Sequence, residues 1–335
     1  MRYIITLLFL FILSPVSAQS TIVVLLSPSA FQIVQRSTEN GGTLRIQGSV
    51  QNADFYTLSA LWRGLNSGVL YSGEKPAFDV LWPDLPVGQS DLLITVNDVS
   101  IVVSSVGIGD VYMVAGQSNA VSAGINLQMY TNGYSLRAGM FNVTGWHELQ
   151  DPVGEEPYDA MEAGGSQWPI LATYILAHNV PVAFGVAAVS GTQIATWQPG
   201  SKRYGYITSL MDSLPDPKVR AILWQQGESD GIHAITAKEY SAYLTTLATA
   251  LYDTYHVPFL PARLYQTYTH VNEGIDMTVA GNDFILAGAD LTNVKPDNIH
   301  YLKDEKLAQE AWAWYTALVC AGFYTDERIV QCINH

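Results

Sequence analysis

The residues of strongest chemical character in this 335-residue chain sit where apolar runs end. Val111-Tyr112-Met113-Val114-Ala115 passes directly into Gly116-Gln117-Ser118-Asn119. A serine just past a buried strand is lifted from the core toward solvent, and a helix after it would aim its positive end and free amides at whatever the hydroxyl attacks. Gly, Ser and Asn also make an ordinary strand-to-helix turn, so the reading depends on partners. A serine hydroxyl is a poor nucleophile near neutral pH and needs a base, most often histidine. Among the seven histidines, His300 stands out, because Asp297-Asn298-Ile299-His300 sets a carboxylate three residues before an imidazole, just ahead of an expected helix. An aspartate so placed can fix the ring tautomer and stabilise the imidazolium that forms as Ser118 loses its proton. A capped helix start with a surface histidine has the same spacing.

Two further strand ends offer donors for a developing oxyanion. Val189-Ser190-Gly191-Thr192 follows the apolar run 182–189, and a glycine there lets a backbone amide approach a substrate. Trp224-Gln225-Gln226-Gly227-Glu228-Ser229-Asp230 follows the run 219–224, and a glutamine amide can donate without competing for the proton of the base. Glu228 and Asp230 fit either a general acid/base pair or structural acceptors that hold the loop. The second is preferred, since Ser118, His300 and Asp297 already fill the catalytic roles. The histidines show no HExxH-type spacing, so no metal or organic cofactor is expected.

These residues need a scaffold, and the chain supplies two patterns. From Thr21 to about Val106 the apolar residues recur with period two, as in Leu44, Ile46 and Val50, then Leu92, Ile94 and Val96, with Asn97-Asp98 as a two-residue turn before Val99, Ile101 and Val103. This predicts a small all-β sandwich over residues 19–106. After Gly107-Ile108-Gly109, short apolar runs at 111–115, 182–189, 219–224 and 284–289 alternate with helical patterns at about 166–178, 204–213, 237–255 and 303–319. In the third helix Tyr240, Leu244, Leu247 and Leu251 share one face. The alternation predicts an α/β region over 107–335, a parallel sheet with helices on both faces, which binds ligands at the carboxyl ends of its strands.

Composition narrows the partners. With 48% hydrophobic and 14% charged residues the chain is globular, and a formal net charge of −14 with no basic stripe argues against nucleic acid. Arg2, the apolar run Tyr3 to Leu13 and Val16-Ser17-Ala18 read as a signal peptide over residues 1–18. The mature chain is then expected to start at Gln19, to be exported and to carry no membrane span. In an oxidising compartment Cys320 and Cys332 would close a small loop that pins the tail; otherwise they are free thiols. Asn142-Val143-Thr144 is a glycosylation sequon.

Gly116-Gln117-Ser118-Asn119, Trp224-Gln225-Gln226-Gly227-Glu228-Ser229-Asp230 and Asp297-x-x-His300, in this order, resemble the sialate O-acetylesterase-like branch of the SGNH hydrolases, which includes the acetylxylan esterases of carbohydrate esterase family six. The resemblance covers about Gly107 to Val319, and the β-rich region before it resembles a sandwich that several members carry. It implies an SGNH-type three-layer hydrolase domain and a serine esterase that deacetylates sialic acids or other glycans through an acetyl-enzyme. Ser118 would be the nucleophile, His300 the base and Asp297 its partner. The amides of Ser118 and Gly191 and the side chain of Gln226 would form the oxyanion hole, with Gln117, Asn119 and Glu228 in support. Ala120 and Gln225 depart from the methionine and the histidine or tyrosine common in the family, which bears on acyl or alcohol preference. Trp197, Tyr204 and Tyr206 could stack on sugar rings or serve the core, and Arg137 and Arg203 could receive a sialic acid carboxylate or be solvated. Rival readings are a catalytically silent carbohydrate-binding protein and an esterase or lipase for other acyl groups.

Overall fold

The computed structural model describes residues 20–131, 136–154, 164–215, 218–329 and 332, so the expected signal peptide lies outside the described residues. The chain opens with β1 (Ile22–Ser27), β2 (Ile33–Gln35), β3 (Gly41–Gln51), β4 (Tyr56–Trp62), β5 (Leu65–Gly73), β6 (Ala77–Pro86) and β7 (Gly88–Val96), and then enters β8 (Val99–Gly116). Strands β1, β3 and β6 form one antiparallel sheet, while β5, β4, β7 and the first half of β8 form another. Period two is what closes the space between them. Leu44, Ile46 and Val50 of β3 meet Leu58, Ala60 and Trp62 of β4 and Leu92, Ile94 and Val96 of β7 in a single core. The expected hairpin is present, with Val96 paired to Val99 across Asn97-Asp98, where Asn97 takes a φ of 52°.

Strand β8 is 18 residues long, and the expected boundary between residues 106 and 107 falls inside it. What changes there is its set of neighbours. Up to Ile108 it pairs antiparallel with β7, at Gly107–Gly109 it also runs parallel to β2, and from Asp110 it becomes a strand of the parallel sheet. A buried ion pair marks the transition: Arg36 Nε and Nη2 donate to the two carboxylate oxygens of Asp110 at 2.8 and 2.9 Å. Tyr324 Oη adds a third bond to Asp110 Oδ2 at 2.6 Å, which ties in the C-terminal segment.

The rest of the chain continues with β9 (Gly139–Asn142), β10 (Gly145–Glu148), α1 (Trp168–Leu176), β11 (Val182–Ala188), α2 (Lys202–Asp212), β12 (Ala221–Gln225), α3 (Glu228–Ile232), α4 (Ala237–Tyr255), β13 (Phe259–Pro261), α5 (Thr269–Ala280) and α6 (Asp304–Cys320). The parallel order is β9-β11-β8-β12-β13, with β10 antiparallel at the outer edge. The expected strand at 284–289 follows β13 as isolated bridges, through Phe259 N to Phe284 O at 3.0 Å and Leu286 N to Phe259 O at 2.9 Å. Alternation along β8 splits the core in two. Tyr112 and Val114 pack with Trp168 and Trp314 under α1 and α6, whereas Val111, Met113 and Ala115 pack with Trp224, Leu244 and Leu247 under α4. The result is a mixed α/β body whose large sheet carries helices on both faces. Tyr240, Leu244, Leu247 and Leu251 are buried as their spacing requires, and Thr236 and Glu239 close a capping box at the start of α4. Cys320 and Cys332 form a disulfide. Among the described residues no helix is long and apolar enough to cross a membrane.

Candidate active site

Strands β8, β11 and β12 end side by side at Gly116, Ala188 and Gln225, and the polar segments identified in the sequence leave from that edge. Gly116 makes the first turn possible. Its φ is +141°, and a Cβ there would lie 2.0 Å from the Gln225 carbonyl oxygen, so only glycine lets β8 and β12 approach this closely. The chain then turns through a single 3-10 turn, Ser118–Ala120.

Ser118 is buried, and its Oγ lies 2.9 Å from His300 Nε2, which arrives from the far side of the site after α5. Residues separated by 182 positions thus share one hydrogen bond. Asp297 lies in the same tight turn as His300, its amide donating to the His300 carbonyl at 3.0 Å. Its carboxylate accepts the amides of Leu302 and Lys303 at 3.0 and 3.2 Å and pairs with the Lys303 ammonium at 3.1 Å. Partial burial alone would raise this carboxyl, but the amides and Lys303 together hold it below the ordinary carboxylate range.

Behind the serine, side chains from three loops interlock. Gln117 Oε1 accepts from Gln226 Nε2 at 3.2 Å and from the amides of Gly227 and Ser229 at 3.4 Å, joining the serine turn to the start of α3. Asn119 Nδ2 donates to Glu228 Oε1 at 2.6 Å and to the carbonyl of Ile299 at 3.1 Å, so one amide links α3, the serine turn and the histidine turn. Glu228 is fully buried, and burial pushes its carboxyl up to about 7, the Asn119 bond working against that rise and the charge of Asp230 adding to it. Asp230 accepts the Ile194 amide at 3.0 Å and a bond from Gln226, which fits a structural acceptor.

The geometry corrects one expectation. Gln226 is wholly buried, and its Nε2 donates to Thr192 O at 2.7 Å, to Asp230 Oδ2 and to Gln117. Its two amide hydrogens already face three protein acceptors, which removes it as a free oxyanion donor. Gly191 differs: it is exposed with a φ of +66°, and open space surrounds the position of its missing Cβ. Among the described residues, no protein acceptor takes the amide of Ser118 or of Gly191. Of the aromatic residues that follow β11, Trp197 belongs to the core, while Tyr204 and Tyr206 on α2 are partly buried against it. Trp197 is fully buried, donates from Nε1 to Thr192 Oγ1 at 2.9 Å and meets Trp224 edge-on, while Tyr206 Oη reaches the Val186 carbonyl at 3.3 Å. Arg137 pairs with Glu148 at 2.8 Å.

Sequence reasoning missed the layer beneath the turn. Gln225 Nε2 donates to Glu310 Oε1 at 2.6 Å, and Gln225 Oε1 accepts from Gln167 Nε2 at 2.9 Å and Trp314 Nε1 at 3.1 Å. Gln167 Nε2 also donates to the Asn119 carbonyl at 2.9 Å, and Trp168 Nε1 donates to the Ala120 carbonyl at 3.0 Å. The signal was available: Glu310 is the lone acid on the apolar face formed by Leu307, Ala311, Trp314 and Leu318 of α6. Ala120 and Gln225, the two departures from the family pattern, are both fully buried in this layer. Among the described residues no cluster of side chains could hold a metal ion.

A family model described as carbohydrate esterase, sialic acid-specific acetylesterase, matches residues 108–309. A carbohydrate acetylesterase from Xanthomonas citri shares the fold with a TM-score of 0.57 at 17% identity, covering 91% of this chain and 76% of its own. A protein from Arabidopsis thaliana shares it with a TM-score of 0.51 at 16% identity, covering 63% of this chain and 98% of its own. No curated protein sequence matches the chain.

Proposed function

Because the chain belongs to the carbohydrate esterase family of sialic acid-specific acetylesterases, we propose that it removes O-acetyl groups from sialic acids or other acetylated glycans by a serine mechanism. The observation that carries this reading is the 2.9 Å contact between His300 Nε2 and Ser118 Oγ at the carboxyl edge of the sheet. His300 takes the Ser118 proton as Oγ attacks the acetyl carbonyl. The ionised Asp297 carboxylate, on the same turn, favours the imidazolium that forms. The negative charge that develops on the carbonyl oxygen is received by the amides of Ser118 and Gly191, which no protein acceptor uses. As the tetrahedral species collapses, the imidazolium returns its proton to the departing sugar oxygen, leaving Ser118 acetylated. Water then attacks the acetyl group by the same route, and acetate leaves. We further propose that the chain is exported after cleavage behind Ala18, which places the disulfide in an oxidising compartment.

The test is acetate release from p-nitrophenyl acetate, an O-acetylated sialoside and acetylated xylan, by the wild type beside Ser118→Ala. A fall of several decades is expected for Ser118→Ala. Equal rates for the two proteins would reduce Ser118 to a turn residue. The order of rates on the two glycans names the sugar. N-terminal sequencing of the secreted protein should read from Gln19.

A further inference from the structure

We propose that Glu310 is a positioning residue for ester cleavage, holding the Ser118–Ala120 turn in register through Gln225 and Gln167. The inference rests on the serine mechanism proposed above. Every link is a hydrogen bond between buried groups: Gln225 to Glu310 at 2.6 Å, Gln167 to Gln225 at 2.9 Å and Gln167 to the Asn119 carbonyl at 2.9 Å. All three side chains are at most 1% exposed. The chain of bonds runs from α6 through the end of β12 to the start of α1, and it ends on the residue that follows the nucleophile.

A polar network in an otherwise apolar layer needs a reason, since a satisfied network at best offsets the desolvation of its members. Here the neighbours are Trp168, Trp314, Leu307 and Ala311, a packing layer that a leucine at position 310 would complete. The network provides a fixed height for the turn. Its other side is held by Asn119 Nδ2 on Glu228 and on the Ile299 carbonyl, so Asn119 is gripped from both faces and the Ser118 hydroxyl keeps its 2.9 Å distance to His300. A nucleophile displaced by an ångström loses most of the benefit of alignment while substrate binding is barely affected. Burial, opposed by the bond from Gln225 and reinforced by the charge of Glu228, pushes the Glu310 carboxyl well above the ordinary range. Glutamine can reproduce that acceptor, and methionine cannot.

The experiment compares Glu310→Gln and Glu310→Met with the wild type on an acetyl ester, taking kcat and KM separately and normalising each to the fraction of protein labelled by a serine-directed phosphonate. The expectation is that Glu310→Gln keeps kcat within threefold, while Glu310→Met lowers kcat at least tenfold with KM within twofold. The proposal is overturned if the methionine variant keeps its kcat, if its loss lies in KM, or if glutamine falls as far as methionine. Should Glu310→Met fail to fold, Gln167→Met leaves the carboxyl in place and cuts the link to Asn119, and it carries the same expectation and the same refutation. A wild type that is inactive, or equal to Ser118→Ala, defeats the serine mechanism. An active wild type with indifferent variants defeats only the role of Glu310.

Discussion

Glu228→Gln separates the cost of a buried charge from the loss of a buried acceptor. Folding moves this carboxyl from a reference value of 4.5 to about 7, chiefly by burial. A displacement of that size corresponds to about 3 kcal/mol of differential stability between its protonated and ionised forms. Since the folded chain holds this proton more tightly than the unfolded chain, the contribution of Glu228 is most favourable below about 4.5. It declines as pH rises from there to about 7 and stays low above. Glutamine has no proton to lose and keeps an oxygen for Asn119 Nδ2, which now sits 2.6 Å from Glu228 Oε1. The advantage of the variant over the wild type should therefore grow by roughly 2–3 kcal/mol between pH 5 and pH 9, several degrees in Tm. Thermal unfolding of both proteins at unit steps of pH measures it. A constant offset across that range, or an advantage that shrinks as pH rises, would refute the argument, because it would mean that folding does not raise the Glu228 carboxyl.

Three other substitutions test the frame around the site. Asp110→Asn takes the buried carboxylate from the Arg36 guanidinium and leaves it the exposed Glu39 at 3.1 Å, and should cost about 3–5 kcal/mol in denaturant unfolding. Arg45→Ala, which breaks the half-exposed pair with Asp79, should cost less than about 1 kcal/mol; similar losses for the two would contradict the weight given to burial. Gly116→Ala drives a Cβ against the Gln225 carbonyl oxygen, 2.0 Å away, at a φ of +141°. It should destabilise the protein by roughly 3 kcal/mol or more and lower ester cleavage, as unfolding and rate measurements on purified protein would show.

Much of this was legible in the sequence, for reasons that can be stated residue by residue. Buried parallel strands announce themselves as apolar runs, so the strand ends at Gly116, Ala188 and Gln225 fell where those runs stop, and α4 declared its buried face through Tyr240, Leu244, Leu247 and Leu251. Strands β9 and β13 are only four and three residues long, too short for any period to register. Helix α5 carries a weak apolar face broken by Asn272 and Gly274, which pack against neighbours that only the fold supplies. The pairing of Ser118 with His300 was foreseeable from the chemistry each needs. The commitment of Gln226 was not: a glutamine that donates outward and one that donates inward look alike in sequence, and only the positions of Thr192, Asp230 and Gln117 decide between them.

The long strand β8 leaves no place for a hinge. At roughly 3.3 Å per residue it runs for nearly 60 Å, carrying the backbone ladder of the N-terminal strands at one end and the Ser118 turn at the other. A domain joined by a flexible linker can swing a captured substrate toward its partner and search for the productive angle. Here the angle is built in, because bending β8 would break ladder bonds to β7, β2 and β11 in succession. Anything held on the N-terminal strands meets Ser118 at a set offset or not at all. A chain cut at residue 107 would lose the strands that flank this stretch and expose its unpaired amides and carbonyls to aggregation, so strands β2 and β7 act as the splint that keeps the axle of the esterase straight.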